Sequence, residues 1–199
     1  MTYIKQLLEE ALQERGFRVR QDRVFEYQLD TLRSLWVGFN LGSVDDDGSH
    51  LLYPRVGFYH ATFEQIAKNV MPELSWRFAP ALVRNFDSDI AGDALGFLWQ
   101  IKFAPDESSE EVINTLAAAI RERGVPWATG FTKAEDFIIG ASERDLGGDR
   151  RWRLPIALAV SGKTREAERV VQSELASADA GDSFYAEFAE RFLSEGWME

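Results

Sequence analysis

The side chains with the widest chemical reach in this chain are its aspartates, and they cluster in two places. Asp45, Asp46 and Asp47 run together, followed by Gly48 and Ser49. A calcium-binding EF-hand loop needs oxygen donors at alternate positions, a Gly at the sixth and an acid at the twelfth. Counted from Asp45, those two positions hold His50 and Val56, so the run reads as a solvated hairpin loop. Asp87, Asp89 and Asp93 form the second cluster, in an irregular stretch that follows Pro72 and Pro80. Paired carboxylates can act as general acid and base, but no spacing here selects one pair, and Asp is an ordinary loop residue. All six aspartates are therefore assigned as contact points for a basic partner. No residue is assigned a catalytic role.

The other candidate constellations fail on spacing. His60 stands four residues before Glu64, the separation of two ligands on one helix turn. Thr62, read as the N-cap of the following helix, leaves His60 outside it. Catalytic zinc takes three protein ligands and an open position, and no third ligand is evident. Ser161-Gly162-Lys163-Thr164 looks like the end of a phosphate-binding loop, but the motif needs a Gly where this chain has Ala157. There is no Gly-x-Ser-x-Gly elbow. With no cysteine there is no disulfide, no thiolate nucleophile and no all-Cys zinc site. The expectation is no metal and no cofactor.

Charge and hydropathy set the class. The net charge of −11 argues against nucleic acid, whose phosphates need clustered Lys and Arg, and favours a basic protein as partner. The one basic cluster, Arg150-Arg151-Trp152-Arg153, is expected to pair with neighbouring helices. No apolar run approaches the roughly 18–20 residues that cross a bilayer. Lys5, Glu9 and Glu10 interrupt any signal-peptide core at the N-terminus. The expected setting is soluble and cytoplasmic, without a membrane. Six tryptophans are spread along the chain, and any that is partly exposed would suit an interface anchor.

The elements that must position these groups follow from periodicity. Ile4, Leu7, Leu8, Ala11 and Leu12 predict a helix that stops at Gly16. Phe17–Leu29 predicts a strand pair turning at Gln21-Asp22-Arg23. Leu35, Val37, Phe39 and Leu41 alternate with Trp36, Gly38 and Asn40, and Val56 and Phe58 lie on the face opposite Tyr53, Arg55, Gly57 and Tyr59. A short helix capped by Thr62 ends before Pro72. Trp76 and Phe78 suggest an edge strand or an ordered loop. Leu95 to Phe103 predicts another strand. The second half is helical: a helix capped by Ser108 or Ser109 and stopped at Gly124 and Pro126, a short one at 132–141, and a pair joined at Ser161-Gly162. A last helix, capped by Asp182 or Ser183, presents Phe184, Phe188 and Phe192 on one face and stops at Gly196. The class is α+β. An N-terminal helix lies on an antiparallel meander of about four to six strands, followed by a helical region. The organisation expected is a sheet region at 1–105 and a helical region at 106–199, packed as one continuous domain.

The N-terminal motifs are Gly16-Phe17, Phe25-Glu26-Tyr27, Phe39-Asn40 and Val56-Gly57-Phe58-Tyr59. Over roughly the first seventy residues this order resembles the bacterial domain-of-unknown-function family 4304. That resemblance implies an α+β domain with no established catalytic residues. It also suggests a likeness to the small acidic immunity proteins of bacterial polymorphic-toxin systems. The expected function is non-enzymatic binding, as an immunity protein that neutralises a basic toxin domain. The alternative is an enzyme acting on a small or cationic substrate through the 87–93 acids and His60.

Overall fold

The computed structural model describes residues 2–21, 24–44, 50–72, 82–86, 90, 108–132, 136, 150–177 and 182–194. The strand expected at 95–103, most of the helix at 132–141, the Trp76–Phe78 stretch and the stop at Gly196 lie outside them. The architecture is α+β: an N-terminal helix, a five-stranded antiparallel sheet in sequential order, and a helical C-terminal part. Two compact units divide the chain, 1–58 with 83–130 and 59–82 with 131–199. Among the described residues no helix is long and apolar enough to cross a membrane.

In the first unit, helix α1 (Thr2–Gln13) buries Ile4, Leu8, Ala11 and Leu12, a stripe at helical spacing. It ends as its sequence requires. Gly16 has φ +87°, and the Phe17 N–H reaches back to the Leu12 carbonyl at 3.0 Å, the bond of a Schellman cap. Strands β1 (Arg18–Gln21), β2 (Val24–Gln28) and β3 (Arg33–Val44) follow, with Phe25 opposite Val37 and Glu26 opposite Trp36. Asp30 fixes that register at the turn. Its carboxylate accepts the Leu32 and Arg33 N–H groups at 2.9 and 2.8 Å and the Arg33 Nε at 2.6 Å. Strand β4 (His50–His60) buries Leu52, Val56 and Phe58, and β5 (Leu82–Asn85) lies beside it.

In β3 Leu35, Val37 and Phe39 are buried as expected, but the opposite face is covered too: Ser34 and Gly38 are buried and Trp36 is half-buried, while Asn40 is exposed. Phe25 meets Phe39 edge-on, with ring centroids 5.8 Å apart. Helix α3 (Ser108–Ala119) packs on α1 and buries Ile113, Leu116 and Ala117. Both serines expected at its cap lie inside its first turn, with Ser109 turned inward.

The stop expected at Gly124 and Pro126 is absent. A π turn (Ile120–Gly124) leads into helix α4 (Val125–Thr129). Gly124 has φ −67°, so it does not terminate anything. Its lack of a side chain serves proximity instead, because a Cβ there would stand 3.2 Å from Leu35 Cδ2. Pro126 falls in the first turn of α4, directly after the π turn.

In the second unit, helix α2 (Ala61–Val70) buries Phe63, Ile66, Ala67 and Val70. Its N-cap is His60 rather than Thr62, and His60 makes no capping bond through its side chain. Helices α5 (Arg150–Val160) and α6 (Thr164–Ser177) form the expected pair. They join at Gly162, where φ is +73° and the Lys163 N–H bonds the Leu158 carbonyl at 2.9 Å. Helix α7 (Ser183–Ser194) is capped by Asp182, whose carboxylate accepts the Tyr185 N–H at 3.1 Å.

The apolar face of α7 differs from the one expected. Phe184 is 47% exposed, and Tyr185, Phe188, Ala189 and Phe192 are buried. Steps of four advance 400° each, so a 184–188–192 row drifts around the helix. The mixed spacing of three and four keeps one face.

Candidate functional site

The six aspartates chosen from sequence, Asp45, Asp46, Asp47, Asp87, Asp89 and Asp93, all lie outside the described residues. The His60–Glu64 pair does lie within them. Glu64 is engaged by Lys68, one turn on in α2, at 3.1 Å. Among the described residues no group of three or more acids and histidines is placed to hold a metal ion.

Among the described residues one buried polar constellation was not singled out as a site by the sequence reading. Glu26, in the middle of β2, is only 3% exposed. Its Oε1 accepts the Ser34 hydroxyl at 2.6 Å, and its Oε2 accepts Nε of Arg20 from β1. Ser34 is fully buried. Trp36, directly opposite Glu26 on β3, lays its ring along the strand over Gly38. A Cβ at Gly38 would come within 2.2 Å of that ring. The phase of the strands could have revealed the cluster. Glu26 alternates with Phe25 and Tyr27, so it faces away from the aromatic side, and Ser34 and Trp36 occupy the same phase of the next strand.

Chemically, a carboxylate beside a serine hydroxyl is the beginning of a base–nucleophile pair. Here both carboxylate oxygens are occupied, one of them by a guanidinium, and the hydroxyl is enclosed. A buried charge needs this kind of pairing to be tolerated at all. The cluster is suited to fixing three strands in register.

Two further polar junctions have the same character. In the first unit, Arg121 on the π turn stacks over the Tyr27 ring, 4.4 Å from its centroid, and donates to its hydroxyl at 2.9 Å. Tyr27 also touches Phe17, with ring centroids 5.2 Å apart, so it links the end of α1, β2 and the π turn. In the second unit, Arg151 of the basic cluster pairs with Asp182 at 2.6 Å, as a helix-to-helix contact. Arg153 is buried with its guanidinium over Trp152.

The electrostatics follow these contacts. The Tyr185 N–H and the Arg151 guanidinium hold the Asp182 carboxyl below its ordinary range. At Asp30, burial is the largest influence and pushes upward. The hydrogen bonds from Leu32 and Arg33 together outweigh it, so the carboxyl is lowered. Burial, with the charge of Glu174 adding to it, pushes the Tyr185 phenol up to about 12. Other acids stay in solvent: Glu10 on α1, Glu14 just after it, Glu110 and Glu111 in the first turn of α3, and Glu122 on the π turn are exposed. Acidic and basic residues are spread over both units, so neither carries the negative charge alone.

No family model, no curated protein and no solved structure matches this chain.

Proposed function

We propose that this protein works by binding a basic protein partner, without catalysis, in the manner of an immunity protein that neutralises a basic toxin domain. The observation that carries the reading is the disposition of its carboxylates. Glu26, which is buried, and Asp30 and Asp182, which are partly exposed, are each paired with an arginine. Glu10, Glu14, Glu110, Glu111 and Glu122 are presented to solvent on a chain of net charge −11. A net charge of one sign steers association with a partner of the other sign and makes its rate depend on salt.

The test is capture of the tagged full chain from the lysate of its source cells, washed at low and then moderate salt. Bound proteins are identified, and the purified pair is then titrated across ionic strength. A single stoichiometric basic protein whose association rate falls steeply with salt supports the reading. If no such protein is retained, or if binding is indifferent to salt, the reading is wrong. A thermal-shift screen of small cationic metabolites then tests the enzyme alternative.

A further inference from the structure

Helix α5 carries Pro155 at its sixth residue. A proline inside a helix has no N–H for the carbonyl four residues earlier, and its ring crowds that carbonyl. Here the carbonyl is that of Arg151, and it accepts the Tyr185 hydroxyl of α7 at 3.4 Å. Tyr185 is almost fully buried, so its hydroxyl needs a partner inside the protein.

Two more contacts converge on the same place. The Arg151 guanidinium pairs with Asp182 at 2.6 Å and lies 5.0 Å from the centroid of the Tyr185 ring. Asp182 in turn caps α7 through the Tyr185 N–H. The backbone and the side chain of Arg151 thus hold the first turn of α7 together.

We infer that Pro155 and Tyr185 form a clasp. The proline opens a gap in the hydrogen-bond ladder of α5, and the tyrosine hydroxyl fills it, so the docking of α7 depends on that gap. Helix α7 is then a strap fastened at its first turn. Its release uncovers Tyr185, Phe188 and Phe192 as one apolar face.

The test is a double-mutant cycle on the full chain with Tyr185→Phe and Pro155→Ala, read by urea unfolding. With Pro155 present, Tyr185→Phe lowers the folding equilibrium constant about five-fold, the weight of one hydrogen bond. With Pro155→Ala, the restored N–H at position 155 takes the Arg151 carbonyl, and the effect of Tyr185→Phe falls below about two-fold. Equal effects in the two backgrounds overturn the clasp. If Pro155→Ala no longer folds, the hydrogen-exchange comparison on Tyr185→Phe decides alone. Amide hydrogen exchange gives an independent reading on Tyr185→Phe alone. Faster exchange confined to α7, with α1 unchanged, supports the strap; unchanged α7 amides overturn it.

Discussion

Glu26 and Asp182 are both carboxylates held by an arginine, and they occupy opposite kinds of site. Glu26 sits mid-strand in the first unit, enclosed, with both oxygens committed. Asp182 sits at a helix end in the second unit, partly open to solvent, where it caps α7 and meets Arg151. The difference lies in what remains if the carboxylate is removed. At Glu26 the loss leaves a buried hydroxyl, Ser34, without an acceptor. At Asp182 water can take over. Burial, more than the count of contacts, decides how much each carboxylate matters to folding.

The largest expected effect is therefore at Glu26. Replacing it with alanine removes the acceptor of Ser34 and the partner of Arg20, and should destabilise the protein by about 2–4 kcal/mol. Urea unfolding of Glu26→Ala measures this, and a change smaller than that of Asp182→Ala would reverse the comparison. The same face makes a second prediction. Gly38→Ala drives a methyl into the Trp36 ring and should cost about 1–3 kcal/mol, the usual range for overpacking. Combining it with Trp36→Ala should recover part of that loss, because the three atoms nearest the added Cβ all belong to that ring.

The pH dependence sharpens the contrast at the exposed end. The Asp182 carboxyl is lowered in the folded state, so its contribution is present above the unfolded carboxyl value of about 3.9. It is lost as pH falls through the folded value. Asp30 behaves alike. Asp182→Asn should flatten the acid limb of stability below about pH 4, within the range where Asp ordinarily titrates. At the other extreme, the Tyr185 phenol is raised to about 12. The stability it lends is complete below the unfolded value of about 10 and fades as pH rises through the folded one. Tyr185→Phe should remove that alkaline loss. The smallest effect is expected at Glu110→Gln, which weakens the favourable charge in the first turn of α3 by about 0.3–1 kcal/mol.

Local chemistry was legible in the sequence. Gly16 and Gly162 end their helices where positive φ is required, and the alternation in β3 places Leu35, Val37 and Phe39 inside. Both features are set within a few residues. What escaped was set by distant neighbours. Gly124 reads as a stop, but it is small because Leu35, far away in sequence, lies against it. Pro126 reads as a breaker, but the π turn before it begins a new helix there. Phe184 looked like core until the three-and-four spacing of Tyr185, Phe188 and Phe192 took that face. The Glu26–Ser34 contact depends on strand register, which Asp30 sets at the turn and which no composition reveals. Of the candidate site, the sequence supplied the sign of the charge and two aspartate clusters outside the described residues.

The measurement that bears most directly on the proposed role is the association rate of the purified protein with its captured partner across ionic strength. The wild-type chain is compared with a variant carrying Glu110→Lys and Glu111→Lys. The account predicts a basic partner, a rate that falls steeply with salt, and a variant that is slower by about ten-fold at low salt yet similar at high salt. A partner that binds the two proteins equally fast at every salt concentration, or the absence of any stoichiometric partner, would contradict it.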